Sequence, residues 1–159
     1  MAVVSICLRI GGGSEDWEAI LTLLHESFAY MDGRIDPPSS LARWLPATIA
    51  DEAAEGFVII GEDAGQIIAC AFAKPRGDAL YLGKIAVAQP YRGQGLLRQM
   101  IAIAAAEAQR RDMPELHLQS RIELADNHAA FAALGFVEVA RTAHEGYDRA
   151  TSITMRKRL

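Results

Sequence analysis

The chain has 159 residues, 51% of them hydrophobic and 23% charged, which suits one globular domain over 1–159 with a substantial apolar core. A net charge of −4 argues against nucleic acid as a partner, and no apolar run approaches the roughly 20 residues needed to span a bilayer. The opening MAVVSICLRI lacks a basic n-region and a cleavage site, so a cytoplasmic protein with no membrane partner is expected.

In chain order, VVSICLRI (3–10) predicts a first strand and GGGS a turn. Ser14 is placed to cap a helix, with Glu15 and Asp16 suited to the positive end of its dipole. Trp17, Ile20, Leu21, Leu24 and Phe28 recur at helical spacing and carry that helix to about Tyr30. MDGRIDPPSS is a loop, after which Ser39 or Ser40 caps a second helix with Leu41, Trp44, Leu45 and Ile49 on one side. Pro46 kinks that helix or restarts it.

Segments 57–63, 66–75 and 79–87 read as strands separated by turns at Ala64-Gly65 and Arg76-Gly77-Asp78, an antiparallel meander. Leu97, Met100, Ile101, Ala104 and Ala108 mark a long amphipathic helix ending before DMP at 112–114. ELHLQS (115–120) alternates as a strand, Asp126 is placed to cap a short helix, and Gly135 to close it. FVEVART and TSITMRK are the last two strands. The order β-α-α-β-β-β-α-β-α-β-β predicts an α/β (α+β) fold: a mixed, mostly antiparallel, twisted sheet of about seven strands flanked by about four helices. Strands 79–87 and 115–120 should be parallel neighbours through a right-handed crossover.

Cys7 and Cys70 lie in separate strand-like apolar segments without CxxC spacing. Buried thiols are the expectation, and no disulfide, metal site or nucleophile.

The informative stretch is YLGKIAVAQPYRGQGLLRQM, residues 81–100, where a strand passes through glycines into a helix. Such a junction points unpaired amides, here of Arg92 to Leu97, at one spot, and the helix dipole adds positive potential. Gly93 and Gly95 remove Cβ atoms from the approach, while Arg92 and Arg98 add charge. No Lys-Ser/Thr pair follows, so this is not a Walker A loop, and Arg98 stands at the third glycine position of G-x-G-x-x-G. A plain tight turn and a pyrophosphate site both remain open on these residues alone.

IAVAQPYRGQGLL resembles motif A of the GNAT family of N-acetyltransferases, Q/R-x-x-G-x-G/A, with Pro90 at the leading position and Leu97 where many members have a small residue. HAAFAALGFVEV resembles the family's closing helix and LGF segment. RIELADNHAAFAALGF, GYDRATSITMRK and GRIDPPSSL are similar to a subgroup of small bacterial acetyltransferases. The resemblance implies the GNAT fold and an acetyl group moved from acetyl-CoA directly to a primary amine of a small molecule or peptide. It implies no metal and no covalent enzyme intermediate.

By the same resemblance, the strand segment Ile85, Ala86 and Val87 meets the pantetheine arm. Arg92, Gly93, Gln94, Gly95, Leu96, Leu97 and Arg98 surround the pyrophosphate. Asn127 touches the cofactor, one helical turn later than usual, with Leu124 in the customary place. Phe131 stands where many members supply a tyrosine to the departing thiolate. Tyr81 and Glu123 are the candidates for proton handling, ahead of Tyr91 and His128. Their ordinary roles would be a strand aromatic (Tyr81), a partner for Arg121 (Glu123) and a helix-surface residue (His128). The acceptor is expected near the loop 30–40, with Tyr30, Arg34 and Asp36 shaping its site. Pairing of two copies through the final strands is implied by the family. The alternatives are a non-catalytic acyl-CoA-binding sensor, which Phe131 favours, and a domain whose loop holds another phosphate or none.

Overall fold

The computed structural model describes residues 5–159. Among these, seven strands form one sheet in the order β1-β2-β3-β4-β5-β7-β6, accompanied by four α-helices. The predicted fold is the observed one.

Strand β1 (Ile6–Gly11) lies at one edge, antiparallel to β2 (Phe57–Asp63). Val3 and Val4 of the predicted strand lie outside the described residues. Helix α1 (Trp17–Phe28) is capped by Asp16, whose Oδ1 accepts from Ala19 N at 3.0 Å, and not by Ser14. The start moves because Glu15 is drawn back to β1, accepting from Arg9 Nη2 at 2.7 Å and Gly12 N at 3.1 Å. The helix stops at Phe28, and a 3-10 turn (Ala29–Met31) takes the chain past Tyr30. Ser39 caps only a second 3-10 turn, Ser40–Arg43. Trp44 and Leu45 are extended, so helix α2 (Pro46–Ala54) starts afresh with proline in its first turn, where a missing N–H costs nothing. Leu45, at this junction, is 65% exposed and belongs to no apolar face.

Strands β2, β3 (Gln66–Arg76) and β4 (Ala79–Val87) form the expected antiparallel meander. Helix α3 (Leu96–Arg110) then crosses over to β5 (Glu115–Arg121), parallel to β4. Only Ala79–Leu82 pair with Glu115–Leu118; beyond them the two strands part. The β3–β4 register also skips between Cys70 and Phe72, so β4 carries one extra residue there, with Lys84 at φ 49°. Helix α4 (Ala125–Ala133) has Leu124 as its N-cap, and Asp126 lies inside the first turn, complementing the dipole without capping. Gly135, at φ 96°, closes it. Strands β6 (Val137–Thr142) and β7 (Ser152–Arg158) complete the sheet, with β7 inserted between β5 and β6.

Alternation along β2 places Phe57 and Ile59 on one face of the sheet and Val58 and Ile60 on the other. The first face packs on α3 through Leu80, Leu82, Met100, Ile101, Ala104 and Leu118. The second packs on α1 and α2 through Ile20, Leu24, Ile49, Cys70 and Phe72. Leu96 rather than Leu97 is the buried leucine at the start of α3. Cys70 is fully buried, and burial pushes its thiol up to about 12. Cys7 is exposed, contrary to expectation: β1 is an edge strand whose Ile6 and Leu8 turn inward, leaving the alternate positions at the surface.

Candidate functional site

The glycine turn follows from backbone conformation. Gly93 and Gly95 have φ of 77° and 82°, and Gly95 is the N-cap of α3. A Cβ at either position would meet nothing within 4 Å. Left-handed backbone, not crowding, therefore selects glycine, and the space above the turn is open. The first intrahelical bond runs from Gln99 N to Gly95 O at 3.0 Å, so the amides before it face outward.

A cleft of about 610 Å³ opens over this turn. Strand β4 contributes Ile85, Ala86 and Val87; the turn contributes Arg92, Gly93 and Gly95; α3 contributes Leu96, Leu97 and Arg98; and α4 contributes Asn127 and Phe131. Gln94 does not line it, because its Nε2 folds back on Pro90 O at 3.4 Å. Tyr30 and Arg34 line it as well, and neither lines the second, adjoining cavity. Asn127 Nδ2 donates to Tyr30 Oη at 3.1 Å, joining α4 to the 3-10 turn after α1. The carbonyl of Val87 already accepts from Arg92 Nε at 3.0 Å, so one lone pair of that oxygen remains. Tyr91 borders the cleft with its hydroxyl committed to Asp63 Oδ2 at 2.5 Å.

A second cavity, about 320 Å³, lies where β4 and β5 part. Tyr81 to Ile85 and Leu118 to Arg121 line it from the strands, Trp44 and Glu52 from the α2 side, and His144 and Ser152 from the C-terminal segment. Phe28, Ile85, Asn127 and Phe131 border both cavities, which therefore adjoin beside the unpaired edge of β4. Phe131 packs edge-on against Phe136, with ring centroids 5.8 Å apart.

The polar groups of this second cavity fall into two sets. At one end Glu52 Oε1 lies 3.3 Å from the ammonium groups of both Lys74 and Lys84, and Lys74 also reaches Glu55 at 3.0 Å. Burial works to raise the Glu52 carboxyl, but the two lysines overcome it and hold it below its ordinary value. Lys84 Nζ also sits 4.1 Å from the centre of the Trp44 ring. Tyr81 is stacked by the Arg76 guanidinium at 3.9 Å, and burial pushes its phenol up. At the other end Arg121 donates from Nη1 to Pro37 O at 2.7 Å and from Nη2 to Pro38 O at 3.5 Å.

Glu123 makes no hydrogen bond or ion-pair contact with Arg121 and acts on it only through space. Its Oε2 accepts from Asp36 N at 3.0 Å, its buried Oε1 has no partner, and it lines neither cavity. Asp36 likewise lines neither, being bound by Tyr147 and Arg149. His128 is not a free surface residue, since its Nε2 lies 2.9 Å from Arg121 O. His144 was invisible to spacing arguments, being a lone histidine in a loop. Its backbone N–H donates to Thr151 Oγ1 at 2.9 Å, its Nδ1 bonds to the same oxygen, and Thr151 Oγ1 reaches Thr142 O at 3.4 Å. Burial first, then the positive field of Arg121, hold the imidazole below 6.5. Among the described residues no three His, Cys, Asp or Glu side chains gather as a metal site would require.

No curated protein matches the chain in sequence. Solved structures match closely in shape. The PaiA N-acetyltransferase of Thermoplasma acidophilum, in complex with coenzyme A, superposes with a TM-score of 0.79 at 14% identity, covering 98% of this chain and 99% of that one. The IAA acetyltransferase of Bacillus cereus gives 0.69 at 16% identity over 98% and 100%. The ribosomal-protein-S18-alanine N-acetyltransferase of Escherichia coli gives 0.66 at 22% over 96% and 94%. At these identities the likeness is one of fold. The acetyltransferase (GNAT) family model matches residues 17–136, from the first helix through the LGF segment, and the chain belongs to that family.

Proposed function

We propose that this protein moves the acetyl group of acetyl-CoA directly to a primary amine of a small molecule or peptide, without a covalent enzyme intermediate. The observation that carries the proposal is the meeting of two cavities at Phe28, Ile85, Asn127 and Phe131, beside the part of β4 that β5 leaves unpaired. The larger arm, with the N-terminus of α3, Arg92 and Arg98, suits a diphosphate and its pantetheine chain. The PaiA relative, solved with coenzyme A, supports the same occupant here. The smaller arm takes the amine. Main-chain N–H groups on the free edge of β4 are the donors for the thioester oxygen, and one such fixed donor is worth about 3 kcal/mol in related chemistry.

In the reaction the amine nitrogen bonds to the thioester carbon, the C–S bond breaks, and its electron pair leaves on sulfur. The ammonium proton must be removed first, and the nitrogen loses a second proton to water as the tetrahedral intermediate collapses. His144 is the base, neutral at pH 7 because its pKa is depressed. With Nδ1–H donating to Thr151 Oγ1 and the Thr151 hydroxyl donating to Thr142 O, its Nε2 lone pair is free. Tyr81 stays protonated and offers a hydrogen bond in the same cavity. Glu123 is given no part, because it borders neither cavity. Phe131 has no proton to give, so the thiolate, of ordinary pKa about 8.5, leaves unassisted and is protonated by water.

Thermal stabilisation by CoA, followed by release of CoA thiol from acetyl-CoA with a panel of amines, tests this reading. Stabilisation without thiol release on any amine would favour a non-catalytic acyl-CoA sensor, the reading that Phe131 supports. A cytoplasmic setting and self-pairing through the final strands belong to the same proposal. Val137 and Val139, exposed on edge strand β6, support the pairing, and gel filtration checks it.

A further inference from the structure

The charged side chains lining the smaller cavity are Lys74, Lys84, Arg121 and Glu52. The lysines are balanced: Glu52 serves both, and Glu55 serves Lys74 again. Arg121 is not. Among the described residues no carboxylate lies within ion-pair distance of its guanidinium, which is part-buried and bonded only to the carbonyls of Pro37 and Pro38. Glu123 and Asp36 act on it through space only: Asp36 is bound by Arg149 and Tyr147, and Glu123 bonds through one oxygen to the amide of Asp36. A guanidinium taken partly out of water with no carboxylate in direct contact keeps donors that an anion can complete. It has five N–H donors, of which two are used, one of them at the long distance of 3.5 Å. Ser120, Ser152 and Gln119 beside it are neutral hydrogen-bonding groups that repel no anion.

Resting on the acetyltransferase reading above, we infer that the acceptor is an amine that also bears a carboxylate, an amino-acid-like molecule, with the carboxylate on Arg121 and the amine toward the junction of the two cavities. The planar fork of an arginine fits the two oxygens of a carboxylate, and a volume of about 320 Å³ suits a small molecule.

The test uses the wild-type protein and matched pairs, amino acids against their carboxamides and their decarboxylated amines, with thiol release as readout. The free acid should exceed its neutral partners in kcat/KM by about tenfold or more, the size of one charge-assisted hydrogen bond. Arg121→Gln should bring the ratio of acid to amide kcat/KM close to one, chiefly through the KM of the acid, whatever change it makes to both alike, and Arg121→Lys should restore part of that ratio. Equal turnover of acids and neutral partners by the wild type would overturn this inference and leave the acetyltransferase standing. No turnover of either kind, in protein that still binds CoA, would overturn both. The wild-type comparison holds whether or not the variants fold.

Discussion

Asp36 and Tyr147 lie 111 residues apart in sequence and are joined by a 2.6 Å hydrogen bond from the tyrosine hydroxyl to Oδ1. Arg149 donates to the other oxygen at 2.9 Å. Together they fasten the loop carrying Pro37 and Pro38, which brace Arg121, to the loop carrying His144. Asp36→Ala should therefore raise the acceptor KM about three- to tenfold, in line with one or two lost polar contacts, and leave CoA affinity unchanged. The hydrogen bond from Tyr147, then Arg149, holds the Asp36 carboxyl below its ordinary value. The fastening is accordingly complete above the usual carboxylate range and is lost as pH falls through the lower folded value. Acceptor KM measured against pH checks the sign.

Gly95 should separate conformation from charge. Gly95→Ala places a Cβ in open space but at φ 82°, and the strain should lower stability by about 1–2 kcal/mol. Gly95→Asp adds a negative charge where the diphosphate is proposed to sit. Its CoA affinity, measured by calorimetry, should fall well below that of the alanine variant. Equal affinities of the two would remove the diphosphate from this turn.

As the proposed base, His144 should give the acid limb of the rate profile. Its pKa lies below 6.5, so kcat/KM should fall as pH drops through that depressed value, and His144→Gln should erase the limb and cost about 10²–10⁴-fold in rate. Folding favours the neutral ring. Stability from this group is whole above the unfolded value of about 6.5 and declines as pH falls toward the folded one. A limb that persists unchanged in the glutamine variant would assign it to another group.

The meander, the crossover helix and the glycine turn were legible because each is local: alternation, 3.6-residue spacing and a strand–glycine–helix junction all lie in contiguous residues. What escaped is assembled from distant segments. Ser14 and Asp16 are equally good caps by type, but Arg9 on β1 draws in Glu15 and so moves the start to Asp16. Tyr30 and Arg34, expected from sequence near the acceptor, line the cleft over the glycine turn, beyond the 3-10 turn that breaks the helix at Phe28. His144 and Arg121 reach one cavity only because β7 pairs with β5, which periodicity within either strand does not reveal.

Gly56 is a stability test remote from charge. A Cβ there would lie 2.0 Å from the Ala73 carbonyl oxygen and 2.7 Å from Lys74 Cα, both backbone atoms in β3. Neither can rotate away. Gly56→Ala should cost about 2–3 kcal/mol, read from chemical denaturation, whereas Gly65→Ala, in an open turn, should cost less.

The cysteines should differ in kind. In native protein a thiol reagent should label Cys7 alone, since Cys70 is buried with its thiol pushed up to about 12. Both should react in denaturant. Mass spectrometry of the labelled peptides distinguishes them.

The supernumerary residue in β4 reverses the parity of the strand. Before it, even-numbered Leu80 and Leu82 face α3; after it, odd-numbered Ile85 and Val87 do, and Ala86 turns to the α1–α2 side. Deleting Lys84 would restore strict alternation, rotate Ile85 and Val87 out of their present side, and lose the ammonium that balances Glu52. A single inserted position thus lets one continuous strand keep apolar side chains on the α3 side both before and after the point at which β5 leaves it.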